Sequence, residues 1–299
     1  MLYIIYPDVD IWNYMFDGFN IDKPVTAVPL NRNCNKIQLL FRKMFQTLRS
    51  DIHLLFGKDI CKGLQSLTDK DSLLICDYTD LCLIKTISAN INPSVRKSLW
   101  LWNLVRDYKD FEKRQFVIEQ CGFKIYTFDQ VDAQKYNLNW LSQFLKCPKI
   151  DTNASISSDF YFLGFEKNRR HIIENLRKQL KQYNLDFRII HNSREMISYS
   201  ENMNNISKTR CLVEIVQDGQ AGLTLRALEA MFLNKKLLTN NRRIKEFDFY
   251  NSNNIFIYGV DDLAHMDEFM STPFQTMPED VCYKYTIDCW VNNFFSPVI

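Results

Sequence analysis

Glycine and proline are both scarce, with eight of each in 299 residues. So few chain breakers exclude low-complexity tails and long flexible linkers. No stretch approaches the roughly 18 uninterrupted apolar residues that a membrane-spanning helix needs. An excess of charge of one sign is also missing. Lys and Arg number 37 against 35 Asp and Glu, a net charge of +2, so nothing in the whole chain calls for a nucleic-acid partner. Cysteine is present nine times, an odd number, yet forms no CxxC pair. Several cysteines lie inside apolar runs such as SLLICDY and TRCLVEIV, which suits reduced, buried thiols better than a disulfide framework or a zinc site. His53, His171, His191 and His265 show no ligand spacing, so neither a metal nor a cofactor is expected. The opening MLYIIYPDVDIW is too short and turns acidic too soon for a secretory leader, and the expected location is cytoplasmic.

What is present is an α/β rhythm. The apolar fraction is 46% and aromatics make up 14%. The length allows two domains of about 150 residues each. Strands are expected at Leu2–Tyr6, Ser72–Asp77, Ser98–Leu104 and Phe123–Thr127, with helices over Ile37–Leu48, Ile52–Leu67 and Lys109–Cys121. The stretch CPKIDTNASISS, Cys147 to Ser158, changes to small polar residues and is the expected boundary between a domain of residues 1–150 and one of residues 151–299. Beyond it the rhythm restarts. Strands are expected at Phe160–Leu163, Asp186–His191, Cys211–Val216, Lys236–Thr239 and Asn254–Tyr258, and helices at Asn168–Tyr183 and Thr224–Leu233. Nearly continuous apolar strands suit parallel sheets covered on both faces, whose ligands bind at the carboxyl ends of strands.

The richest segment is EIVQDGQAGLTLRALEAMFLNKKLLTNN, Glu214 to Asn241. A buried strand leads into a loop containing Gly219, Gln220 and Gly222, and the loop opens a helix whose first turn carries Thr224 and Arg226. Exposed amides at a helix start favour an anion, and Arg226 supplies a planar donor suited to phosphate. Glu229, three residues after Arg226, shares its helix face and offers two acceptors to sugar or ribose hydroxyls. Asn240 follows the next strand. The purely structural alternative is that Thr224 caps the helix and Arg226 pairs with Glu229. A second segment, DFYFLGFEKNRR, ends an aromatic strand at Gly164 and brings Lys167 and Arg169 to another helix start, where they could neutralise a departing diphosphate. His191 follows a strand on the same side. Along the helix itself Lys167, Arg169, Arg170, Arg177, Lys178 and Lys181 face only Glu174, a basic face that suits anionic headgroups or plain solvent.

In the first half the candidate bases are Asp8 and Asp10 in YPDVDIW, Asp77 and Asp80 in CDYTD, and Asp129 and Asp132 in TFDQVD. Asp8 and Asp10 are preferred because they follow the first strand, whereas Asp129 reads as a helix cap. Trp100, Trp102 and Asn103 lie on or just past a strand, where an aromatic ring either packs in the core or binds a sugar face.

DFYFLGFEKNRR, the Glu214–Asn241 segment, FDFYNSNNIFIY, SLWLWNLV and GFKIYTFDQVDAQKYNL together resemble a bacterial family of glycosyltransferases of lipopolysaccharide and surface-polysaccharide biosynthesis. That resemblance spans most of the chain. It implies a GT-B-like fold: two Rossmann-like domains facing each other across a cleft, the first on the acceptor side and the second binding a nucleotide-sugar without a metal. It further implies a nucleotide-sugar donor, a glycan or glycolipid acceptor, and peripheral contact with the inner membrane. Catalysis would fall to Asp8 or Asp10. Donor binding would fall to Gly164, Lys167, Arg169, His191, Gln220, Gly222, Thr224, Arg226, Glu229 and Asn240. Only Glu229 of a two-glutamate signature is in place. A catalytically silent, glycan-binding scaffold of the same shape remains the alternative. An NAD-linked enzyme is disfavoured, since no strand leads into GxGxxG.

Overall fold

The computed structural model describes residues 1–30, 58–149 and 154–295. The chain divides into two compact units, Met1–Leu141 with Trp290–Ile299 and Ser142–Cys289. The division thus falls ahead of the Cys147–Ser158 stretch, and the C-terminal residues belong to the first unit. Both departures have local causes. Leu145 exchanges backbone hydrogen bonds with the far end of the second unit, donating to the Tyr285 carbonyl at 2.9 Å and accepting from Ile287 at 3.1 Å. Trp290 packs edge-on to Trp100 at 5.1 Å, and Arg96 donates to the carbonyls of Asn293 and Phe295.

The first unit begins with β1 (Leu2–Pro7), α1 (Asp10–Met15), β2 (Val25–Leu30), α2 (Lys58–Gln65), β3 (Ser72–Cys76), α3 (Leu81–Asn90) and β4 (Arg96–Leu101). It continues with α4 (Phe111–Gln120), β5 (Phe123–Thr127), α5 (Gln130–Tyr136) and β6 (Asn139–Trp140). Its six strands are all parallel, in the order β2-β1-β3-β4-β5-β6. The central strand β3, SLLIC, is wholly buried, as its unbroken apolar run requires. The edge strand β2, VTAVPL, escaped the sequence reading because Pro29 argues against a central strand. At an edge, a proline leaves no ladder bond unmade. The helix α3, LCLIKTISAN, also escaped it, being rich in β-branched residues. Asp80 starts it by accepting from the amides of Cys82 and Leu83. The helix expected at Ile37–Leu48, and the first part of Ile52–Leu67, lie outside the described residues.

The second unit runs β7 (Ser158–Phe165), α6 (Arg170–Gln179), β8 (Leu185–Ile190), α7 (Tyr199–Ser207), β9 (Thr209–Glu214), α8 (Leu225–Phe232), β10 (Lys236–Thr239) and β11 (Ile255–Ile257). It closes with α9 (Met266–Ser271), α10 (Glu279–Lys284) and α11 (Ile287–Val291), the last of which crosses into the first unit's terminal segment. Its parallel sheet has the order β11-β10-β9-β7-β8. In each unit the first strand lies between the second and the third, which is one doubly wound, Rossmann-like pattern made twice. The direction of winding reverses between β1 and β3 and again between β7 and β9. These are the places where such sheets open a crevice at their carboxyl ends. Among the described residues no helix is long and apolar enough to cross a membrane.

Asp129, fully buried, caps α5 by accepting from the amides of Val131 and Asp132 at 2.9 and 3.0 Å. Asp129→Ala is expected to cost about 1–2 kcal/mol in urea unfolding. A change below about 0.3 kcal/mol would remove this cap from the account.

Candidate functional site

The crevice of the second unit is built from the ends of β7, β9 and β10. After β7 the chain turns tightly. The Arg169 amide donates to the Glu166 carbonyl at 2.9 Å, and Lys167 and Asn168 between them have φ of 37° and 62°. Two consecutive left-handed residues make a turn of the type I′ kind. Lys167 stands exposed at its tip. Arg169 folds back instead: its Nε and Nη2 donate to the Phe165 carbonyl at 3.1 and 2.8 Å, and its Nη1 donates to the carbonyl of Ile215. One guanidinium therefore ties together the two strand ends that border the crevice. Gly164 makes room for it, since a Cβ there would lie 3.0 Å from Arg169 Nη2. Burial, the largest influence, pulls Arg169 below its ordinary pKa, and Glu214 opposes that shift.

Glu214, the last residue of β9, is 3% exposed. Its two oxygens accept from the hydroxyls of Thr224 and Thr239, each at 2.5 Å. Burial pushes its carboxyl up from the usual value, and the two threonines oppose that shift, with Arg226 after them. Thr224 caps α8 by accepting from the Arg226 amide at 3.0 Å. Asn240 accepts from the Val216 amide at 2.7 Å through its side-chain oxygen, which fixes the start of the loop. Within the loop Gly219 has φ of 75°, and the Gln220 side chain donates to the Gly222 carbonyl at 3.4 Å. Gly222 is buried.

Arg226 and Glu229 share a helix face and bind each other, Nη1 to Oε2 at 2.7 Å, with side chains 12% and 3% exposed. The Arg226 guanidinium also lies 5.5 Å from the Tyr161 ring centre and reaches the Leu163 carbonyl at 3.4 Å. Asn202 approaches the other Glu229 oxygen at 3.5 Å. Burial raises the Glu229 pKa, and Arg226 is the chief opposing influence. The structure thus turns Glu229 to the interior of the unit, where it supports Arg226. His191, exposed one residue past β8, lies 3.2 Å from Glu166 through its ring nitrogen, and its backbone N–H donates to the Glu195 carboxylate at 2.9 Å.

Lys167, Gly164, Arg169, Gln220, Gly222, Thr224, Arg226 and Asn240 accordingly gather around the ends of β7, β9 and β10, with His191 beside them at the end of β8. Glu214, Thr239 and Tyr161 were missed by the sequence reading. The available signal was a glutamate closing an otherwise apolar strand, CLVEIV. In the first unit Asp8 and Asp10 are both exposed after β1, Asp8 accepting from Asn13 at 3.0 Å and Asp10 opening α1. Among the described residues no three His, Cys, Asp or Glu side chains gather as a metal ion would need.

No family model and no curated protein matches the chain. Among solved structures it is similar to the apo form of a lipopolysaccharide outer core galactosyltransferase, WaaB, at 10% identity and a TM-score of 0.47, over 98% of this chain and 97% of that one. It is also similar to a chain of the accessory secretory protein 1, 2 and 3 structure from Streptococcus pneumoniae, at 10% identity and a TM-score of 0.43. That match covers 78% of this chain and 54% of the other. Neither likeness is close enough to carry an inference. The strand orders by themselves make the chain a protein of two Rossmann-like α/β units.

Breaking the Arg226–Glu229 pair leaves a buried charge without its partner, so Arg226→Ala is expected to destabilise by about 3 kcal/mol or more. A double-mutant cycle with Glu229→Ala should return a coupling of at least about 1 kcal/mol, and additive losses would show that the pair contributes nothing. The pH dependence of Glu214 follows from the sign of its shift. A carboxyl raised in the folded state favours folding below its unfolded value and loses that contribution as pH rises through its folded value. Glu214→Gln removes this loss, so its stability relative to the parent should increase as pH rises above the usual glutamate range in denaturation experiments. A pH-independent difference would contradict it.

Proposed function

We propose that the chain is a glycosyltransferase that takes a sugar from a nucleotide-sugar held by the second unit and passes it to a glycan or glycolipid acceptor held by the first. The observation that carries this reading is the β7/β9 crevice. A glycine-bearing loop opens α8 there, Arg169 and Arg226 act on the buried carboxylate of Glu214, and Lys167 stands on the turn after β7. Helix-start amides and fixed cations at the carboxyl edge of a parallel sheet suit a diphosphate. They can also stabilise the charge that develops as the diphosphate leaves. Lys167, on the exposed turn tip, would meet the phosphates directly. Arg169 and Arg226, bound to carbonyls and Glu229, would contribute a fixed positive field. Asn240, Gln220 and His191 offer hydrogen bonds at the rim, and Asp8 or Asp10 is the candidate base for the acceptor hydroxyl. The exposed Arg170, His171 and Lys178 of α6, with Lys181 just past it, suit contact with an anionic lipid surface from the cytoplasmic side.

Thermal unfolding with millimolar UDP-, GDP-, dTDP- and CMP-sugars, without added metal, tests the reading. One of them should raise the melting temperature by at least about 2 °C, as saturation well above Kd requires. Lys167→Ala should shrink that shift while leaving the ligand-free midpoint in place. A shift with NAD and with none of the nucleotide-sugars would sink the reading. Binding without donor hydrolysis would favour the silent scaffold instead.

A further inference from the structure

Four side chains inside the second unit close a ring of contacts. Tyr161 of β7 donates its hydroxyl to the Asn202 side-chain oxygen at 3.1 Å, and the Asn202 amide donates to Glu229 at 3.5 Å. The other Glu229 oxygen accepts from Arg226 at 2.7 Å, and the Arg226 guanidinium returns to the Tyr161 ring, 5.5 Å from its centre. Tyr161, Asn202 and Glu229 are all buried. The ring has one direction. A hydroxyl meets an amide oxygen, an amide N–H meets a carboxylate, and a guanidinium meets the same carboxylate. Turning the Asn202 amide over would set its oxygen against Glu229. Burial, the largest influence, pushes the Tyr161 phenol up, so the hydroxyl keeps the proton it donates.

The members come from β7, α7 and α8, and the ring meets the crevice through the Arg226 guanidinium. That group also donates to the carbonyl of Leu163, near the end of β7, at 3.4 Å. Its charge reaches both groups that frame the crevice. It opposes the burial-driven rise at Glu214 and adds to the burial-driven fall at Arg169. Two guanidiniums within reach of each other at a partly buried edge repel, and a bound anion relieves that repulsion. A free arginine side chain samples many rotamers, and each one lost on binding weakens the complex. In the ring, Arg226 is already held.

We infer that Tyr161 and Asn202 are positioning residues for the anion site of the second unit. Neither touches the ligand; together they fix Glu229, so that Arg226 keeps one place at the end of β7, where its charge serves a bound diphosphate. A buried ion pair adds little stability over apolar residues of the same volume, so a fixed charge is what the ring supplies. The inference deepens the proposed function and rests on its diphosphate.

Isothermal titration calorimetry with UDP, GDP, dTDP and inorganic pyrophosphate tests it. At least one should bind the parent protein. Tyr161→Phe, which removes the hydroxyl and keeps the ring beside Arg226, should weaken that binding about fivefold, and Asn202→Leu at least as much. A residue that only supports the fold would lower affinity whatever stands at position 226. In an Arg226→Lys background the loss from Tyr161→Phe should therefore fall below about twofold, whereas in Lys167→Ala it should persist in full. Should Arg226→Lys fail to fold, the double variant Tyr161→Phe/Asn202→Leu takes its place and should bind no more weakly than the weaker single variant. Unchanged affinity in Tyr161→Phe, or losses that add fully in either cycle, overturn the inference. The nucleotide-sugar thermal shift on the same samples separates the two readings. A shift in the parent with diphosphate binding that ignores Tyr161 and Asn202, or with no diphosphate binding, sinks these roles alone. Neither a shift nor diphosphate binding sinks both.

Discussion

The buried carboxylate of Glu214 is the constraint on which the second unit's crevice depends. A carboxylate taken out of water must find strong donors, because an unsatisfied charge in the interior costs several kcal/mol. Glu214 finds two hydroxyls, one at the end of β10 and one at the start of α8. By satisfying itself it fixes three elements at one point. The loop between β9 and α8 then has little freedom at either end, because Asn240 holds Val216 and Thr224 holds the first turn of the helix. Arg169 completes the frame from the β7 side through carbonyls. The result is an edge whose loop ends and guanidiniums are held in place before any ligand arrives.

Two guanidiniums illustrate how charge can serve a site without touching a ligand. Arg226 sits over Tyr161 and against Glu229, where its partner is nearly closed off from solvent. Such an arginine contributes field and rigidity more than direct contact. The exposed Lys167, carried on a left-handed turn, has the opposite character. An exposed ammonium at a turn tip is suited to meeting phosphate as a point charge. The division of labour follows from burial alone.

Much of this was legible in the sequence. The apolar runs of β1, β3, β5, β7 and β10 announced themselves, and the Thr224–Leu233 segment showed its cap, its apolar face and its charged pair. Asp129 was readable as a cap because a short acid precedes an amphipathic stretch. Other features were hidden for physical reasons. The edge strand β2 carries Pro29, and α3 is written in β-branched residues that elsewhere build strands. The return of Trp290 and Phe294 to the first unit depends on long-range aromatic contacts with Trp100 and Tyr126, which no local pattern encodes. Within the site, spacing showed that Arg226 and Glu229 share a face. It did not show that the face points inward, since that depends on Tyr161 and Asn202, which come from distant elements.

We propose that the segments 166–169 and 215–226 form one anion-binding edge. Hydrogen exchange measured with and without a saturating nucleotide-sugar tests it most directly. Protection should concentrate in those two segments and in the residues just after β10. Protection confined to the first unit, or no change anywhere under conditions where the ligand binds, would contradict it.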